Sequence, residues 1–87
     1  MPVRNETDWL TATIGGEVVL MNVKGQEYIG LDEVGADIWD VLKTPHSLND
    51  ICGEVARLYR IAPDTCRSDV NRVVDMLMQQ GAAIDER

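Results

Sequence analysis

The chain has 87 residues, which suffice for one domain with a single core, and we expect residues 1–87 to form that domain with a loose tail over residues 1–7. Hydrophobic residues make up 45% of the sequence, which excludes an intrinsically disordered chain. The formal net charge of −7 disfavours nucleic acids and anionic membrane surfaces as partners, because both are negatively charged.

The first third of the chain predicts three successive strands. Threonine and apolar residues favour a strand over residues 9–14, and Gly15-Gly16 predicts a tight hairpin because glycine tolerates positive φ. The apolar, β-branched run over residues 17–23 predicts a central strand with both faces at least partly covered. After a turn at Lys24-Gly25, residues 26–31 predict a third strand, which lies at the edge of the meander.

The remaining two thirds of the chain predict three helices. Asp32 is the expected N-cap of the first helix, and Pro45 ends it, since proline disfavours helical geometry in the residue before it. Ser47 is the expected N-cap of the second helix, and Pro63-Asp64 begins the third, which stops at Gly81. Strands followed by helices indicate an α+β fold, with three helices covering one face of a small antiparallel sheet.

Residues that could carry chemistry are few and scattered. Cys52 and Cys66 form no CxxC motif and His46 is the one histidine, so the sequence does not predict a metal site. The cysteines show no base partner, and the carboxylates show no pairing typical of acid–base catalysis. We therefore expect neither an enzyme nor a bound cofactor. Without a signal peptide or an apolar run of about 20 residues, we expect a cytoplasmic protein with no membrane partner.

Three blocks of the chain resemble a known family. Residues 26–42 read QEYIGLDEVGADIWDVL and resemble the signature of PqqD-like proteins, the leader-peptide-recognition domains (RiPP recognition elements) of ribosomally made, post-translationally modified peptides. The block that resembles the second helix of this family is residues 47–51 with Val55, Tyr59 and Ile61. The block that resembles the third helix and its terminal glycine is residues 69–70 and 73–74 with Leu77 and Gly81. Together the blocks extend the resemblance over residues 18–84.

The resemblance implies a winged-helix-like β3α3 domain without catalysis of its own. Such a domain binds the leader of a precursor peptide and delivers it to a maturation enzyme: a leader peptidase, a cyclase or a radical enzyme. The peptide class stays open among lasso peptides, quinone cofactors and other modified peptides. A short chain with this pattern favours lasso peptide maturation.

The resemblance also implies that the leader adds as a strand beside the third strand and lies between that strand and the third helix. The predicted edge carries no lysine or proline to protect it from pairing. Because side chains alternate between the two faces of a strand, Tyr28 should point outward, and Ile29 and Leu31 should point toward the core. Gly30 either permits close approach of another backbone or marks a bulge. The expected peptide-binding residues are Gln26, Glu27, Tyr28, Ile29, Gly30 and Leu31 of the strand, and Asp69, Arg72, Val73 and Met76 of the third helix.

Two other functions stay open at this point. A winged helix that binds nucleic acid would use the third helix as its reader, but Arg67 and Arg72 are offset there by Asp69 and Asp75. A structural or regulatory subunit that binds a folded protein would need a large apolar patch, which the sequence does not locate.

Overall fold

Two small sheets and three helices make up the fold, and a computed structural model of the chain describes residues 1–86. The larger sheet and the helices follow one another in the predicted β-β-β-α-α-α order, so the predicted α+β class is confirmed. The elements are β1 (Pro2–Arg4), β2 (Trp9–Ile14), β3 (Glu17–Asn22), β4 (Tyr28–Leu31), α1 (Glu33–Val41), α2 (Leu48–Tyr59), α3 (Pro63–Gln79) and β5 (Ala83–Asp85).

The larger sheet is an antiparallel meander in the order β2-β3-β4. Gly15 and Gly16 both have positive φ, at 61° and 84°, which confirms the predicted two-residue hairpin. The third strand begins at Tyr28, two residues later than predicted, because Gln26 has a left-handed φ of 56° and belongs to the turn. The Asn22 side-chain oxygen stabilises that turn by accepting hydrogen bonds from the backbone N–H groups of residues 24 and 25.

The prediction of a loose N-terminal tail is wrong. Residues 2–4 form β1, which pairs antiparallel with β5 near the other end of the chain. The Arg4 side chain holds this strand in place, because its Nε donates to the Trp39 carbonyl at 3.0 Å and its guanidinium lies 4.9 Å from the Trp39 ring centroid. Asn5 adds a hydrogen bond from Nδ2 to the Gly81 carbonyl at 3.0 Å. Residues 2–5 and 83–85 are therefore both tied into the fold.

Side-chain caps fix where α1 and α2 begin. The Asp32 carboxylate accepts a hydrogen bond from the Gly35 N–H at 2.8 Å, and the Ser47 hydroxyl oxygen accepts one from the Asp50 N–H at 3.1 Å, so both predicted N-caps are confirmed. Helix α3 has Pro63 at its start, where the missing proline N–H costs no hydrogen bond. The start of α1 immediately after β4 places that helix beside the sheet edge.

The core lies between one face of the larger sheet and the helices. The sheet contributes Trp9, Leu20 and Leu31 from the same face, and each of them is buried. Trp39 of α1 is 2% exposed and belongs to the core, and its indole Nε1 donates to the Thr11 hydroxyl at 2.8 Å. Val19, on the opposite face of the central strand, is half-buried.

Candidate functional site

The side of β4 away from β3 is an open sheet edge, because β4 ends the strand order among the described residues. The Asn22 N–H donates to the Glu27 carbonyl at 2.9 Å, which marks this pair as a hydrogen-bonded one. Bonded and non-bonded pairs alternate along an antiparallel ladder, so Ile29 is also bonded to β3, while Tyr28 and Gly30 are not. The backbone N–H and C=O groups of Tyr28 and Gly30 therefore point outward at the open edge.

The side chains of β4 alternate as predicted. Tyr28 is 68% exposed, whereas Leu31 is buried and Ile29 packs against the core. Gly30 stands in regular register opposite Val19, so it marks no bulge. A Cβ atom placed on Gly30 would meet nothing within 4 Å, so the space above the sheet at this position is open.

A groove of about 190 Å³ lies between β4 and α3. Its apolar walls come from Leu31 at the end of β4 and from Val73 and Met76 on α3. The residues that line it are Gly30, Leu31, Asp32, Gly35, Arg72, Val73 and Met76. The groove therefore has apolar walls and runs beside the open backbone edge of β4.

Gly35 and Asp32 line the groove although the sequence did not single them out for the site. A Cβ on Gly35 would lie 3.1 Å from Asp32 Oδ1 and 3.4 Å from Leu31 Cδ2, so a larger side chain there would press on the cap of α1 and on the groove wall. The sequence feature that points to Gly35 is a glycine in the first turn of a helix, where glycine lowers helix stability by up to about 1 kcal/mol relative to alanine. That signal indicates close packing but does not locate a groove.

The structure does not bring all the predicted binding residues together. Gln26 and Glu27 lie in the turn before β4, and the Glu27 carbonyl is already bonded to Asn22 in β3. Asp69 is not among the residues that line the groove, and its carboxylate lies 4.0 Å from the Arg72 guanidinium. The geometry therefore concentrates the candidate site on β4, the start of α1 and one flank of α3.

The charges near the groove lie at its rim. The side chain of Arg72 is 70% exposed, and Asp32 is exposed across the groove from it. On α3, Arg67 lies 3.4 Å from Asp64, so both arginines of this helix have a carboxylate of the same helix beside them. Paired arginines do not give α3 the basic face that a reader of nucleic acid needs.

At the α1 end, the groove adjoins a second cavity of about 450 Å³ with which it shares Leu31 and Asp32. The second cavity is acidic, since Glu17, Glu33 and Asp37 also line it. The Tyr59 hydroxyl donates to Asp37 Oδ2 at 2.6 Å, and this hydrogen bond raises the pKa of Tyr59 above its usual range. The groove thus opens at one end onto a negatively charged surface.

The two thiols belong to the core. Cys52 and Cys66 are both buried, and the Cys66 thiol donates to the Cys52 carbonyl at 3.5 Å. Burial raises the pKa of the Cys52 thiol, which keeps it in its unreactive protonated form. Within residues 1–86, no three His, Cys, Asp or Glu side chains form a group that could hold a metal ion. None of the described helices is long and apolar enough to cross a membrane.

Comparison with known proteins places this fold in a family. The family model described as coenzyme PQQ synthesis protein D (PqqD) matches residues 17–82. Two solved structures have the same fold. TbiB1 in complex with the TbiA(beta) leader peptide has a TM-score of 0.81 and 24% identity, with 98% of each chain covered. A lasso peptide synthetase B1 complexed with the leader peptide has a TM-score of 0.80 and 21% identity, with 97% of this chain and 98% of that chain covered.

No curated protein matches the chain. The two structural likenesses, at 24% and 21% identity, establish the fold. The family match covers β3, β4 and all three helices, and therefore both walls of the groove. The resemblance drawn from the sequence is confirmed, and the chain belongs to the PqqD family.

Proposed function

We propose that this chain binds the leader region of a ribosomally made precursor peptide and delivers it to a maturation enzyme. The observation that carries the proposal is the open edge at Tyr28 and Gly30 beside a groove with apolar walls. Both solved structures with the same fold are complexes with a leader peptide, which supports the same ligand class here. The family match supports it further.

In the proposed complex the leader adds to β4 as a further strand. Its backbone pairs with the outward N–H and C=O groups of Tyr28 and Gly30, which supply affinity that does not depend on the leader's sequence. Every second side chain of the leader then projects into the groove beside Val73 and Met76, where apolar side chains fit best. Selectivity comes from these side chains and from the charged rim.

The chain acts in this proposal by binding alone, and the chemistry is left to the partner. Partners of the proposed kind are a leader peptidase, a cyclase or a radical enzyme. The peptide class we favour is the lasso peptides, because one neighbour in fold is a lasso peptide synthetase B1 bound to its leader peptide. The free thiols Cys52 and Cys66 fit a reducing compartment such as the cytoplasm.

Replacing Met76 by aspartate is expected to weaken leader binding about tenfold or more, because a carboxylate in an apolar wall loses hydration when the leader covers it. The probe is the fluorescently labelled leader of the precursor peptide encoded beside this chain's gene, measured by polarisation. Wild-type protein should bind it with a Kd of about 1 μM or below.

The matched control is Met78→Asp, on the same helix and 37% exposed, which should bind the leader like the wild type. Equal affinity in the Met76 and Met78 variants would show that the groove does not hold the leader. A wild-type chain that binds no leader would contradict the proposed function itself.

A further inference from the structure

The face of the larger sheet that points away from the helices, called here the outer face, is unusually apolar. Cross-strand register places Leu10, Met21 and Tyr28 in one row of this face and Ala12, Val19 and Gly30 in the next. Antiparallel sheets with one solvated face normally turn polar side chains toward water. Strand β2 does the reverse, because Leu10 is 52% and Ile14 is 60% exposed while its threonines share the face of buried Leu20.

None of these apolar side chains belongs to the buried core or to the partly buried side chains that pack against it. Apolar side chains that adjoin one another over a few hundred Å² of a monomer's surface often form a site of protein contact. The leader strand proposed above would lengthen this face by one strand, since its other set of side chains would lie next to Tyr28 and Gly30. From these observations we infer that the outer face, completed by a bound leader, is the docking surface for the maturation enzyme.

The size of the outer face argues against a second copy of this chain as its occupant. Three strands about 4.8 Å apart and about 20 Å long present roughly 300 Å². A stable interface buries about 800 Å² on each partner. The net charge of −7 on each chain adds repulsion between copies. A small face that grows when a leader binds suits a transient partner that recognises the loaded domain.

The charge beside the outer face indicates what charge the partner's surface should carry. Glu17 flanks the outer face at the β2–β3 turn, is exposed, and forms no ion pair with the residues that the structure describes. The partner should therefore present an apolar patch with Lys or Arg at its rim. This inference rests on the proposed function, because the peptide at β4 brings the two proteins together.

The test is a double variant, Leu10→Ser with Ile14→Ser. Strand β2 lies three strand spacings, about 14 Å, from the added leader strand, so these changes should leave the leader Kd unchanged. The probe is the purified modifying enzyme encoded beside this chain's gene, and its binding to the chain is measured by surface plasmon resonance with and without saturating leader. We expect the leader to strengthen enzyme binding to the wild type, and the double variant to bind the enzyme about tenfold more weakly.

The matched control is Leu58→Ser, since Leu58 lies on α2 and is 49% exposed, close to the value for Leu10. It should bind both leader and enzyme like the wild type. Equal enzyme binding by the double variant and the wild type overturns the inference, while normal leader binding leaves the proposed function standing. No enzyme binding by the wild type overturns both the inference and the delivery step of the proposed function, and leaves only leader binding. If the wild type sediments as a dimer and the double variant as a monomer, the outer face is a contact between copies of this chain. That result also overturns the inference.

Discussion

Replacing Gly30 by proline is expected to abolish leader binding while the helices and the β3–β4 pairing stay formed. The Gly30 N–H points away from β3, so its loss costs no hydrogen bond within the sheet. It does remove a donor that an added strand needs, and the proline Cδ replaces that N–H on the side where the leader backbone must lie. Polarisation of a labelled leader and far-UV circular dichroism measure the two effects.

The matched control for this variant is Thr13→Pro on the other edge of the same sheet. Thr13 belongs to a non-hydrogen-bonded pair of the β2–β3 ladder, so its N–H also points away from β3. It points out of the opposite edge of the sheet, which β2 forms. This variant should bind the leader like the wild type. Unchanged affinity in Gly30→Pro, or an equal loss in both variants, would rule out strand addition at β4.

Replacing Trp39 by alanine is expected to lower the free energy of unfolding by about 3–5 kcal/mol. The indole is 2% exposed, and its removal leaves a cavity at the centre of the core. The change also removes the hydrogen bond to Thr11 and the contact with Arg4 that holds β1 in place. Urea denaturation followed by circular dichroism measures the loss.

Tyr28→Ala is the control for this stability measurement, since Tyr28 is 68% exposed and buries little aromatic surface. Its unfolding free energy should change by less than about 0.5 kcal/mol. A loss below about 1 kcal/mol in Trp39→Ala would mean that α1 is not anchored to the sheet through this side chain.

Local chemistry explains why the helices and the first hairpin could be predicted from the sequence. Asp32 and Ser47 cap their helices through contacts with residues three positions later, and Gly15-Gly16 closes a turn by its own conformational freedom. Each of these features depends on a few adjacent residues. The alternation of Tyr28 and Leu31 across β4 is equally local, which is why the outward face of the edge could be predicted.

The sequence-based predictions fail where contacts between residues far apart in the sequence determine the structure. The pairing of β1 with β5 joins residues 2–4 to residues 83–85, and no pattern within residues 1–7 predicts it. The groove likewise requires that Gly35 and Met76, far apart in sequence, meet beside Leu31. The start of β4 depends on the left-handed turn at Gln26, a conformation that residue types other than glycine adopt only occasionally. Tertiary contacts therefore determine which residues line the groove, while the sequence alone indicates which strand forms the open edge.

Amide hydrogen exchange resolved by NMR tests the central claim most directly, because it separates the two sides of β4 residue by residue. The amides of Ile29 and Leu31 are bonded to β3 and should exchange slowly with or without a leader peptide. The amides of Tyr28 and Gly30 should exchange rapidly in the free protein and become protected when the leader is bound. Rapid exchange at both Tyr28 and Gly30 with the leader bound at saturation would contradict strand addition at this edge.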